Sequence, residues 1–234
     1  MATTIEFGSI CLDGKPVRPG SEYNQGACIS IASGDAIKWV VSNGILIADR
    51  CILVNLSWDD LNKQNLVYGK NITIGGRAFQ IRLLKVGKRG RYINEWLAAM
   101  NTVCDSDCIW HWDGSFFWGQ NEYYKDPACR AICGYYTAYH CNWSESSNRA
   151  PDCGFRPALV PLPDSDPQPG NTICIIRGQS VIYGELLEQT DYDLIIKPLS
   201  KTILTKKDER ELLFKCSNGR WAIDRSNIVT QVIS

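Results

Sequence analysis

The chain has 234 residues, 44% hydrophobic and 21% charged, the composition of a globular protein long enough to build a core without staples. Its 25 basic residues balance 25 acidic ones, so no global field favours nucleic acid or an anionic membrane. No apolar run reaches the length that spans a bilayer, and MATTIEFGSICLDG lacks the basic start and apolar core of a secretory signal. The chain therefore reads as synthesised in a cytoplasm without a signal peptide and without membrane insertion.

In AIKWVVSNGILIADRCILVNL, β-branched residues flank Ser42-Asn43-Gly44, and Asn-Gly is a strong hairpin signal. Ser57 opens SWDDLNKQNL with a capping residue and two acids in the first turn, which predicts a short helix. NITIGGRAFQIRLLKVG predicts a second hairpin, turning at Gly75-Gly76, and NEWLAAMN (Asn94 to Asn101) is apolar at helical spacing. The first hundred residues thus read as α+β.

From Cys104 to Cys153 periodicity weakens, and half of the ten Tyr, half of the eight Trp and both His collect there. Trp110, Trp112 and Trp118 recur at even spacing, which predicts a shared strand face and a core role. In YYTAYHCNWSESSNRAPDC polar and aromatic residues alternate irregularly, which favours a binding surface over core. Tyr and Trp give large contact area for little conformational entropy, with Ser, Asn and Gly as adaptable filler. LPDSDPQPGN then predicts a linker, through its prolines, aspartates and glycine. Beyond it, ICIIRGQSVIYGELL, DYDLIIKPLS, ELLFKCSNGRWAI and NIVTQVIS predict four or five strands in a compact barrel or sandwich, with a charged turn at TKKDERE.

The cysteines number eleven, an odd count spread from Cys11 to Cys216, unlike the compact even set of a disulfide framework. Cys104/Cys108 and Cys129/Cys133 share a C-x3-C spacing that zinc could use, but no histidine sits at a familiar spacing. Plain thiols are the default expectation, with no metal and no cofactor. His140 and Cys141 could suggest nucleophilic catalysis, yet neighbours on an extended strand point to opposite faces. The segment's basic residues are chiefly Lys125, Arg130 and Arg149, too few for a phosphate-tracking groove, so no nucleic-acid partner is expected.

GYYTAYHCNWSESSNRAPDCGFRPALVP resembles the variable region of diversity-generating retroelement target proteins of gut Firmicutes and their phages. Positions fixed in that family match Gly134, Ala138, Asn142, Ser147, Asn148, Arg149 and Gly154 to Leu159. Its open positions fall on Tyr135, Tyr136, Tyr139, His140, Trp143, Ser144, Glu145, Ala150, Pro151 and Asp152. With LIADRCILVNLSWDDLN, ITIGGRAFQIRLLKVG and WHWDGSFFWGQ, the likeness covers roughly residues 35 to 162. Cys141, Ser146 and Cys153 stand where the family often has Trp, Ala and Val. An AAC template codon mutated only at its adenines cannot encode Trp143 or Glu145, so those codons differ or those positions are not diversified.

The resemblance implies an α+β chain. A C-type-lectin-like domain with formylglycine-generating-enzyme-like topology would span residues 1–162, with a variable region at about 110–153. From the residue pattern alone, a linker at 163–172 and a small all-β domain of unassigned role at 173–234 follow. The resemblance implies a non-enzymatic, diversified binder of a protein or cell-surface ligand, with the ten open positions as its contact residues; whether it ends on a virion, on a cell surface or inside the cell is left open. Phe155 would be buried, Arg156 would tie a loop and Pro157 would pin the final strand. Two rivals are a phage tail or capsid decoration protein and a formylglycine-generating-like oxidoreductase; the latter needs redox-active or copper-binding cysteines.

Overall fold

The computed structural model describes residues 2–86, 94–163, 166–216 and 218–233. Among the described residues strands take 48% and helices 11%, arranged as several sheets in an α+β, mostly-β fold. Short strands come first: β1 (Thr4–Glu6), β2 (Ser9–Leu12), β3 (Lys15–Pro16), β4 (Ser21–Glu22) and β5 (Ile29–Ala32). The hairpin β6 (Lys38–Ser42) and β7 (Ile45–Ala48) follows. Asn43 and Gly44 turn it with φ of 51° and 79°, the left-handed pair that a two-residue turn between twisted strands requires.

After β8 (Leu53–Val54) comes α1 (Trp58–Lys63). Ser57 accepts the Asp60 amide while Asp60 accepts the Ser57 amide, a complete capping box. The second hairpin is β9 (Lys70–Ile74) and β10 (Arg77–Arg82), and α2 (Glu95–Thr102) is capped by Asn94. Of the sequence expectations, position 87 of ITIGGRAFQIRLLKVG and positions 164 and 165 of the linker lie outside the described residues.

The Cys104–Cys153 segment is more regular than its sequence suggests. A short α3 (Asp107–Trp110) leads into the long hairpin β11 (Phe116–Tyr123) and β12 (Asp126–Gly134), then β13 (Cys141–Glu145), β14 (Cys153–Phe155) and β15 (Ala158–Pro161). Both faces of this hairpin are occupied near its base, so no clean apolar alternation reaches the sequence. Trp110 and Trp118 are fully buried, but the three tryptophans do not share a strand face. Trp110 ends α3, Trp112 follows the left-handed residue His111, and Trp118 lies on β11.

One six-stranded sheet has the order β1-β6-β7-β15-β10-β9, and a second has β13-β12-β11-β14-β8-β4. Phe117 of β11 enters one core cluster with Trp96 and Trp110, while Trp118 enters another with Trp39, Phe79 and Phe155.

The remaining strands are β16 (Thr172–Arg177), β17 (Ser180–Gln189), β18 (Asp193–Pro198), β19 (Leu213–Lys215), β20 (Trp221–Asp224) and β21 (Val229–Val232). They form a six-stranded sheet of order β19-β20-β18-β17-β16-β21, one strand more than the upper sequence expectation. The charged stretch TKKDERE is not a turn but a helix, α4 (Lys206–Leu212). Thr205 caps it through the Asp208 amide, and Leu212 is buried in this sheet's own core, an anchor that outweighs the run of charge.

This sheet also shares a core with the preceding residues. Cys174, Ile176 and Val181 pack in the same cluster as Ile74 and Phe79. Gln231 donates to the backbone oxygens of Ala78 and Leu162.

Candidate functional site

The ten open positions sit on two loops and one edge strand, raised on a buried frame. Gly154 fixes that frame by close approach. A Cβ there would stand 2.3 Å from the Leu53 carbonyl oxygen, so only glycine lets β14 pair with β8. Phe155 exposes nothing. Arg156, equally buried, donates to the carbonyls of Asp49 and His111, both at 3.1 Å, and its guanidinium lies over Trp96 and Phe117. Arg149 reaches back to α1 and grips Asp60 with two 2.8 Å hydrogen bonds. Burial alone would raise the Asp60 carboxyl, but the bonds from Arg149 and Ser57 outweigh it and hold the group below the usual carboxylate range.

The first loop runs from Gly134 to His140. It is closed at its base by a disulfide between Cys133 and Cys141, directly opposite one another on β12 and β13 with Cα atoms 4.1 Å apart. The expectation of plain thiols is therefore corrected at this pair. The Cys129/Cys133 half of the zinc-like spacing is also broken, because Cys133 is already bonded. Sequence alone could not choose this pairing, since it depends on the register of two strands. Within the loop, Gly134 donates to the His140 carbonyl, Tyr135 donates to those of Trp112 and Ser115, and the Trp96 indole donates to that of Ala138 at 2.6 Å. Ala138 is buried, while Tyr136 and Tyr139 on either side are 66% and 52% exposed. Short, fixed backbone with outward aromatic rings is the result.

Phe116, absent from the sequence-based set, gathers part of that set together. Its ring stacks on Tyr135 at 4.8 Å and lies 5.8 Å from His140, and Tyr136 meets both Tyr135 and His140 edge-on. The Phe116 amide donates to the Asp152 carbonyl, joining the second loop, 146–152, to the first. Ala150 packs beneath, half-buried, and Pro151 is exposed. Tyr135, Tyr136, His140 and Asp152 thus converge around Phe116.

The others are not all brought there. Tyr139 is drawn instead toward Asp105: its phenol pKa is raised by desolvation and by that carboxylate. On β13, side chains alternate: Trp143 faces the Phe117 side of the sheet and stacks on Tyr123 at 4.7 Å, while Ser144 faces the other side and accepts from Asn148. Glu145 is exposed at the strand end. Tyr123, like Phe116, was missed because a strand residue within an aromatic-rich run carries no local mark of exposure.

Among the described residues no group of three or more His, Cys, Asp or Glu is placed to hold a metal ion. Burial pushes the Cys51 and Cys153 thiols well above their ordinary range, so neither is a ready nucleophile at neutral pH. No helix among the described residues is long and apolar enough to cross a membrane. No protein-family model, curated protein or solved structure matches the chain.

Proposed function

We propose that the protein is a ligand-binding protein of the diversity-generating retroelement class, presenting mutagenised side chains on a C-type-lectin-like scaffold spanning residues 1–162. One observation carries this reading. The Gly134–His140 loop is fixed by a basal disulfide, buried Ala138 and several backbone hydrogen bonds, while its Tyr136 and Tyr139 rings face solvent. Pre-organised backbone lowers the entropic cost of binding, and outward aromatic rings supply area and polar tips, which is how a paratope gains affinity. The motif's fixed residues Gly154, Phe155 and Arg156 lie in buried frame, whereas Tyr136, Tyr139, Glu145 and Pro151 are exposed, so side chains can change there without breaking packing. The ligand is a protein or surface molecule, bound non-covalently. A disulfide at the loop base suits display outside a reducing cytoplasm, on a virion or cell surface.

The test is a displayed library randomised at the ten positions and selected against unrelated protein baits. Specific binders whose melting temperatures match the parent support the reading. Recovery only of unfolded or non-specific variants overturns it.

A further inference from the structure

Away from the variable loops, the hairpin β9–β10 and the C-terminal sheet flank an open pocket of about 470 Å³. Small-molecule sites typically measure ~300–1,000 Å³. Gly75 and Arg77 line it from one side, and Tyr183, the Leu199–Lys201 segment and Ile233 from the other.

Arg77 is the unusual member. It is 9% exposed, with its guanidinium 4.3 Å from the centre of the Phe7 ring and 5.4 Å from that of Phe79. Such stacking engages the cation's face and not its in-plane donors. One of them reaches the Cys174 thiol at 4.0 Å, and the guanidinium acts electrostatically on the Tyr183 hydroxyl. The ion pairs among the described residues include neither Arg77 nor Lys201. A buried cation without a counter-ion is costly, and an anion in the pocket would offset that cost. The Tyr183 hydroxyl is engaged with Cys174, and burial, the largest cause, pushes its pKa up to about 12. The 199–202 segment is held over Tyr183: the Leu199 amide donates to the Tyr183 carbonyl, and Thr202 bonds both the Tyr183 amide and carbonyl. That brings exposed Ser200 and Lys201 to the rim, beside apolar Leu199 and Ile233.

We infer that this pocket binds a small organic oxyanion, its phosphate or carboxylate group on Arg77 and Lys201 and its carbon body against Leu199 and Ile233. The site requires both the β9–β10 hairpin and the C-terminal sheet, which gives that sheet a role independent of the variable loops.

Calorimetric titration of the full chain with inorganic phosphate, phenyl phosphate and benzoate tests this. At least one probe should bind. Phosphate-bearing probes binding more tightly identify a phosphoryl group, and benzoate binding as well or better identifies a carboxylate. Arg77→Met should abolish binding. Should that variant fail to fold, Lys201→Ala and Leu199→Asp, both at exposed positions, carry the test. The former should weaken binding on the order of tenfold, and the latter should weaken it by placing like charge at the mouth. No binding of any probe to the parent chain, or unchanged affinity in both rim variants, overturns the inference.

Discussion

Tyr136 and Tyr139 are more than half exposed, whereas Phe155 and Trp118 expose nothing, and that contrast sets what truncation does to each. Tyr136→Ala and Tyr139→Ala should change unfolding free energy by less than about 0.5 kcal/mol. Phe155→Ala or Trp118→Ala should cost about 3–5 kcal/mol through lost burial and a residual cavity. Denaturant unfolding of the four variants checks the split. Equal losses at the tyrosines would make them core. The Arg149–Asp60 pair gives a pH-dependent case. Asp60 has a folded pKa below its unfolded value of about 3.9, so its contribution is full above that value. It fades as pH falls through the depressed folded pKa. Arg149→Met should therefore cost about 2 kcal/mol at neutral pH and progressively less in acid, as unfolding curves across pH would show. Arg149 and Phe155 could be singled out from their motif, but Phe116 could not, because its partners Tyr135, His140 and Asp152 arrive from two separate loops.

The elements legible in the sequence are those with local causes. The Asn43-Gly44 and Gly75-Gly76 turns need left-handed backbone, and Ser57 and Asn94 satisfy amides a few residues on. Cys153–Phe155 was illegible as a strand because neighbours distant in sequence make it, and Cys141–Glu145 because an exposed edge strand carries no apolar alternation. β13 pairs with β12, and β14 lies between β11 and β8. The helix at Lys206–Leu212 was hidden for the opposite reason, its charge masking a good cap. The Cys133–Cys141 bond belongs to this scale, since it closes one hairpin loop with a sequence separation of 8. Chain-entropy arguments give a bridge of that span about 2–3 kcal/mol. Reduction, or paired Cys133→Ser and Cys141→Ser changes, should lower stability by that amount. It should also speed amide exchange in residues 134–140 while leaving exchange in Phe116–Trp118 little changed. Exchange accelerated equally in both segments would mean the bond supports the sheet rather than the loop.

Across the whole molecule, the sequence marks a break near LPDSDPQPGN, yet side chains cross it. Cys174, Ile176 and Val181 share a cluster with Ile74 and Phe79, Gln231 bonds Ala78 and Leu162, and Gly44 donates to Gly178. Composition reveals a proline-rich segment but not what packs on either side of it. A shared core couples unfolding, so calorimetry should record one transition; two well-separated transitions would mean the C-terminal sheet folds on its own account. The same architecture leaves Tyr136, Tyr139, Glu145 and Pro151 on the surface while Gly154 to Leu159 are buried, which is the arrangement targeted diversification needs. Sequencing sibling copies of the gene tests that claim most directly. Differences should concentrate in the codons for Tyr135, Tyr136, Tyr139, His140, Ser144, Ala150, Pro151 and Asp152, with Trp143 and Glu145 showing whether their codons belong to the set. The codons for Gly154 to Leu159 should stay constant. Differences scattered evenly along the chain, or as frequent in Gly154 to Leu159 as in the loops, would contradict the account.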